Sequence, residues 1–336
     1  MIQEEIKISF AELKSQFNRV LLKEGFNVKH AAILSQIFVE NNLSGKESHG
    51  LNRFPGFIDS VRKGSVRKNV EPKTITKFNA IEQWNGKSGA GPSNALLCTE
   101  RAIELAKEFG LGCVALRNTN HWMCGGTYGW RAAEAGFALI CWTNATPLMP
   151  PWGSTEPKLG NNPLVIAIPR KEGHIVLDFA MTQYSYGQLE MLKLRNKNTE
   201  HEAGYDGKGK LTRDPSEVIK TKRALPIGLW KGSGLSLVLD LLASILSGGN
   251  SSFRIGEQKV ETDVSQVFIA FDMTLPGIKE HANKIIKETL EDLHSSRKIA
   301  ENEIYYPGEL SEKKRKEYLK EGIPLNKSQW EQLLDM

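Results

Sequence analysis

The sequence predicts an α/β protein: a three-layer α/β/α arrangement around a mixed sheet, with a helical domain assembled from both termini. Three observations carry this. From about residue 80 onward, runs rich in Val, Ile and Leu alternate with helical patterns, which implies a sheet covered on both faces. Two of these runs, NPLVIAIP and HIVLDFA, are separated only by Arg-Lys-Glu-Gly. That is hairpin spacing, so antiparallel pairs must join any parallel ones. Both ends of the chain read as helices, giving an expected division into 1–76 with 285–336 (helical) and 77–284 (α/β, cofactor- and substrate-binding).

Taken in order, Ser9 suits an N-cap for a helix that puts Phe10, Leu13, Phe17, Val20 and Leu21 on one stripe. A second helix is expected over about 28–43, with Ala31, Leu34, Ile37 and Phe38 apolar. The segment SHGLNRFPGFIDSVRKG reads as a short helix ending at Gly64. AIEQWNG is a candidate strand, and 94–110 a helix closed by Gly110. Then come a strand (111–118), a helix (127–136), a strand (137–145) and the hairpin pair. Residues 196–215 are polar and Gly-containing, hence a surface loop. A core helix (about 233–247), a strand (265–273), an amphipathic helix (about 278–296) and a charged helical C-terminus complete the chain. The basic run 313–316 is flanked by Glu309, Glu312 and Glu317, and reads as a solvated helix face rather than a binding patch.

Composition excludes classes without choosing one. Across 336 residues, 40% are hydrophobic and 25% charged, which rules out a disordered, collagen-like or disulfide-scaffold chain. Against 44 Lys+Arg stand 39 Asp+Glu, and a net charge of +5 spread over this length gives no reason to expect nucleic acid. Cys98, Cys113, Cys124 and Cys141 form no C-x-x-C pair, and Cys113 and Cys141 sit in apolar runs as small core residues. Reduced thiols, an N-terminus without an apolar h-region, and a longest apolar stretch (234–246) broken by Asp240 together point to a cytoplasmic protein with no membrane partner.

The common motifs fail. Gly110, Gly112 and Ala115 match G-x-G-x-x-A, but the match follows a helix and opens a strand, the reverse of a phosphate-binding turn. There is no P-loop, no H-E-x-x-H and no G-x-S-x-G, so neither a metal site nor a serine-hydrolase elbow is expected. A hydrolase using Ser48 is disfavoured further, because the adjacent His49 would normally point away from it. What stands out is polar residues set among glycine and aromatics. Ser48-His49-Gly50 with Arg53 would, on a helix, share a face at i,i+4. An imidazole beside a guanidinium can pair proton donation with carboxylate binding, though a capping Ser-His beside a surface Arg explains the same residues. Asn118 to Trp122 and Thr143-Asn144 each follow a strand end, where open α/β sheets bind ligands. Asp178 ends an apolar strand, and Trp230 to Gly234 opens a helix whose N–H groups, with Lys231, could bind an anion or be a plain cap.

Together SHG-LNRF, NTNHW with its Gly-Gly, PPWG, LGNNP, LDFA, WKGSGLSLVLDLL and the C-terminal PGE resemble the type-2 malate/L-lactate dehydrogenase family over nearly the whole chain, from about residue 7. The resemblance implies an NAD-dependent oxidoreductase (NADP being the alternative) with a non-Rossmann, L-sulfolactate dehydrogenase-like fold, acting as a homodimer on a 2-oxo sugar acid. It makes His49 the proton donor, with Asp178 expected to orient it or keep it charged and Arg53 to hold the substrate carboxylate. Ser48, Asn120, His121, Thr143 and Asn144 are the expected substrate contacts. Cofactor contacts are expected from Leu177, Asp178, Phe179, Ala180, Met181, Thr182 and Gln183, from Trp230 and Lys231, and from Gly308, Glu309 and Leu310. The alternatives are another 2-hydroxy-acid dehydrogenase of the same family and a non-catalytic sugar-acid binding protein.

Overall fold

The computed structural model describes residues 4–336. Its elements run β1 (Glu5–Ile8), α1 (Phe10–Lys23), α2 (Val28–Leu43), a 3₁₀ turn (Glu47–His49), α3 (Phe54–Arg62), β2 (Lys73–Phe78), β3 (Ile81–Asn85), α4 (Gly91–Phe109), β4 (Leu111–Thr119), α5 (Gly126–Glu134), β5 (Phe137–Thr143), β6 (Leu164–Ile168) and β7 (Ile175–Phe179). Then follow α6 (Tyr186–Leu194), β8 (Gly204–Tyr205), β9 (Leu211–Thr212), α7 (Pro215–Thr221), α8 (Trp230–Ser247), α9 (Ser252–Gly256), β10 (Val264–Asp272), α10 (Lys279–Ser295), α11 (Glu309–Glu321), β11 (Ile323–Asn326) and α12 (Lys327–Asp335).

The main sheet has seven strands in the order β2-β3-β4-β10-β5-β6-β7, with only β3 and β4 parallel. Period-two alternation decides what each face buries. On central β10, Phe268 and Ala270 join Val114, Leu116, Leu139 and Cys141 under α4 and α5, while Val267 joins Cys113, Ala115 and Trp142 under α8. Cys113 and Cys141 are therefore core residues, on opposite faces. Gly110 caps α4 with φ 81°, and a Cβ on Gly112 would lie 2.1 Å from the Ala102 carbonyl. Both glycines thus serve the tight α4–β4 turn, which accounts for the inverted glycine motif.

The third unit of packing is helical. Ser9 Oγ accepts the Glu12 N–H at 3.1 Å, as an N-cap should, and α1 buries Leu13, Phe17, Val20 and Leu21. These meet α2, α3 and, from the far end of the chain, Ile323, Leu325, Trp330 and Leu333 in one core. The two ends are also tied by β1 pairing antiparallel with β11. Neither short strand, nor β2, has a run of apolar residues to reveal it. The expected division at 284/285 falls inside α10.

Several expectations need correction. Residues 48–64 do not form one helix: a 3₁₀ turn ends at His49, and Arg53 is the residue before α3. The polar loop 196–215 contains the small β8–β9 hairpin. Helix α8 is not a core helix all round. It buries one narrow stripe, including Ser233, Ser236, Leu239, Asp240 and Ala243, and leaves Leu235, Leu237, Val238, Leu241, Leu242 and Ile245 exposed. Of the basic run on α11, Lys313 and Lys316 are exposed and paired to Glu309 and Glu312. Arg315 is instead half-buried against Trp130 and donates to Ser44 Oγ at 3.1 Å, so the run is not wholly a solvated face. No helix among the described residues is long and apolar enough to cross a membrane.

Candidate active site

A cavity of about 420 Å³ lies where the helical unit meets the ends of β5 and β7, and it gathers His49, Arg53, His121, Asp178, Tyr186 and Glu261. His49 arrives on the 3₁₀ turn, which Asn41 and Asn42 of α2 hold from beneath: Asn41 Nδ2 donates to the His49 carbonyl at 2.8 Å, and Asn42 Oδ1 accepts the Leu51 N–H at 2.8 Å. Gly50 is required there, since a Cβ would fall 2.0 Å from Asn42 Oδ1. Ser48 Oγ sits 3.0 Å from His49 Nδ1, so the two adjacent side chains do meet, contrary to expectation. Nδ1 is therefore occupied, and Nε2 is the ring nitrogen left for chemistry.

The His49 ring stacks on His121, with centroids 6.0 Å apart and planes 18° from parallel. Burial and the neighbouring His121 press the His49 pKa down from 6.5 to about 4, against the attraction of Asp178. His121 is pressed further, to about 3, by burial and then by Arg53. Its Nδ1 accepts the Met123 N–H at 3.0 Å, so the neutral ring carries its proton on Nε2. Arg53 makes no ion pair among the described residues. An unpaired guanidinium on a partly enclosed wall is a ready clamp for a carboxylate.

Asp178 does not hold His49. Its Oδ2 accepts the Gly126 N–H at 2.8 Å and the Cys124 thiol at 3.4 Å, pinning the start of α5 to β7. It acts on the imidazole through space alone. Asn120, Thr143 and Asn144 also depart from expectation, because their polar atoms are turned into the protein. Asn120 Nδ2 donates to the carbonyls of Ser88 and Gly89, both at 2.9 Å. Thr143 Oγ1 donates to the Asn144 carbonyl at 2.9 Å. Asn144 donates to Asp240 at 2.8 Å and accepts the Ser265 N–H at 2.8 Å. They build the strand-end loops and do not line the cavity, since a strand end supplies polar residues for its own turn as readily as for a ligand.

A second hollow of about 170 Å³ adjoins the first, sharing Lys46, Cys124 and Asp178, and is lined also by Leu177, Pro307 and Gly308. β7 is an edge strand, so one row of its backbone groups has no strand partner. Gly308 leaves space there that a Cβ would close, at 2.9 Å from the Val176 nitrogen. The Val176 N–H on this edge donates to the Pro307 carbonyl at 2.9 Å, and the two hollows beside the strand leave room for an extended molecule. Of the expected contacts, Leu177, Asp178, Phe179, Ala180 and Gly308 line one hollow or the other. Met181 is buried in the core; Thr182 is buried with an unpartnered Oγ1; Gln183 is exposed. Trp230 and Lys231 lie on the exposed face of α8, Leu310 is exposed, and the Glu309 carboxylate is engaged by His294 at 3.0 Å and the Tyr306 N–H at 3.2 Å. None of these lines either hollow.

Sequence reasoning missed Lys46, Tyr186 and Glu261. Lys46 stands two residues before Ser48 and could have been found by proximity. Glu261 had no local signal, lying in the polar loop before β10.

The cavity thus brings an imidazole with Nδ1 engaged together with a guanidinium that makes no ion pair among the described residues, next to a second hollow beside β7. Residues 8–334 match the family model described as malate/L-lactate dehydrogenase, and the chain belongs to this family of oxidoreductases. It is 42% identical over 333 residues to a 2,3-diketo-L-gulonate reductase of Pasteurella multocida, covering 98% of this chain and 99% of the relative. Among solved structures, a malate dehydrogenase of Pyrococcus horikoshii superposes with a TM-score of 0.89 at 31% identity, covering 98% and 94% of the two chains. Sulfolactate dehydrogenase of Methanocaldococcus jannaschii superposes with a TM-score of 0.89 at 28% identity, covering 98% and 96%.

Proposed function

We propose that this protein reduces the C2 carbonyl of 2,3-diketo-L-gulonate to the alcohol, reversibly, with NADH and with His49 as proton donor. The observation that carries the reading is the pairing of His49, Nδ1 engaged and Nε2 free, with an unpaired Arg53 in one cavity. The substrate follows the relatives of that name, which match over nearly the full length of both chains. Leu177 to Ala180, Lys46 and Gly308 would hold a nicotinamide cofactor, which when bound would supply the hydride. Arg53 binds the substrate carboxylate and so sets the C2 oxygen toward His49 Nε2. Ser48 fixes the imidazole plane through Nδ1, and His121, neutral and stacked against it, presents an Nε2–H to substrate oxygen. The test is NADH oxidation, followed by absorbance, with 2,3-diketo-L-gulonate beside pyruvate and oxaloacetate. Preference for either small acid overturns the substrate; no turnover of any, with binding intact, returns the protein to the class of sugar-acid binders.

The low His49 pKa sets a pH dependence. In the oxidation of the hydroxy acid, His49 is the base and must be neutral, so kcat/KM is retained above its pKa and lost below it. With that pKa at about 4 rather than 6.5, the oxidation profile stays flat from pH 7 down to about 5. In reduction the protonated form is required, and kcat/KM falls about tenfold for each unit that the pH rises from about 5 to 7. A break near 6.5 in the oxidation profile excludes this environment for His49.

The reading extends to assembly and compartment. The exposed apolar face of α8 supports a homodimer, since a patch of Leu235, Val238, Leu241, Leu242 and Ile245 resembles an interface more than a solvated helix. Sedimentation of the purified protein at twice the chain mass is expected. Four unpaired, buried cysteines favour a reducing compartment, the cytoplasm.

A further inference from the structure

Glu261 has no part in the proton transfer just described, and yet it is built into the wall of the same cavity. It comes from the loop between α9 and β10, remote in sequence from every other group of the site. Its Oε2 accepts the Thr146 N–H at 2.9 Å, which anchors the carboxyl to the loop after β5. Its Oε1 makes no hydrogen bond to the described residues, and no lysine, arginine or histidine lies within ion-pair distance of it. Burial raises its pKa, with the Thr146 N–H and Arg53 pulling the other way. The side chain is half-buried, and Oε1 is left facing the accessible cavity with a bonding position that a substrate can take. Pyruvate, which ends in a methyl group, has nothing to offer it. A 2-oxo acid carrying oxygen on C3 and beyond does.

We infer that Glu261 is a specificity-determining residue: its free carboxyl oxygen hydrogen-bonds the oxygenated chain of the substrate beyond C2, and so selects polyhydroxylated 2-oxo acids over pyruvate. The inference rests on the reductase reading, with Arg53 at the carboxylate end and His49 at C2, because those two contacts leave the rest of the substrate to meet the remaining cavity wall. A carboxyl can donate as an acid or accept as an anion, so both a 3-oxo group and a hydroxyl are within its chemistry. Such a contact discriminates, since a substrate lacking the partner forgoes the hydrogen bond that the bound polyhydroxylated acid makes.

The experiment compares wild type, Glu261→Gln and Glu261→Leu for NADH oxidation with 2,3-diketo-L-gulonate and with pyruvate, resolving kcat from KM. Glu261→Leu is expected to raise KM for the diketo acid by roughly 10²-fold while kcat/KM for pyruvate holds or improves. Glu261→Gln, which still donates and accepts, is expected to recover most of the loss. Pyruvate turnover by the same preparation serves as the control for folding, and a thermal melt accompanies it. Equal losses on both substrates in Glu261→Leu, or no loss on either, overturn the role of Glu261 while leaving the reductase reading intact. Wild type that reduces pyruvate but not the diketo acid overturns both.

Discussion

Replacing His49 by Asn is expected to lower kcat for reduction by about 10²- to 10⁴-fold, the usual contribution of a positioned acid–base group, while NADH binding changes little. The separation of these two effects follows from geometry. His49 reaches the larger cavity from the 3₁₀ turn, whereas the adjoining hollow along β7 is lined by Lys46, Leu177, Asp178 and Gly308. Asn keeps a polar, planar group that can still meet Ser48 Oγ, so the turn and its support from Asn41 and Asn42 should survive. The check is a pair of measurements on one preparation: steady-state kcat, and NADH affinity by fluorescence titration. Near-normal turnover removes His49 from the chemistry. Loss of NADH binding as well makes its role structural.

The second large effect concerns Arg53. Its guanidinium makes no hydrogen bond or ion pair among the described residues and attracts Glu261 only at longer range, so most of its energy appears when an anion binds. A bidentate, charge-assisted contact contributes roughly 3 kcal/mol, so Arg53→Ala should raise the substrate KM by about 10²-fold. Arg53→Lys keeps the charge and loses the fork, and should fall between. Both variants should melt at the wild-type temperature. A KM that does not move, or a variant that no longer folds, assigns Arg53 to structure instead. Because His49 and Arg53 share a cavity, their combined effect should be less than the product of the two.

Much of the fold is legible in the chain because burial imposes period. Leu13, Phe17, Val20 and Leu21 announce α1, and Ser9 its start. Continuous apolar runs, buried on both faces of the sheet, announce β4, β5, β6, β7 and β10. Elements without such a stripe stay silent. β1 and β11 are four residues each and owe their existence to one another, across more than 300 residues of chain. Helix α8 misleads for the opposite reason: apolar residues all round read as a core, when one stripe is buried and the remainder is exposed.

The site divides in the same way. Composition and periodicity determined an α/β chain with helical ends, and the residues around Ser48-His49, read with the family's other motifs, determined its class of chemistry. Which of the polar residues at strand ends face the ligand was decided only by tertiary structure. Asn120, Thr143 and Asn144 are as polar as His121, and yet backbone carbonyls and Asp240 claim them, while His121 is turned to stack on His49. Asp178 is drawn to Gly126 and Cys124 rather than to the imidazole. Glu261 enters from a loop more than 200 residues after His49 in the chain. Sequence records which groups are available within a turn of chain; the hydrogen bond each one makes depends on neighbours that only folding brings within 3 Å.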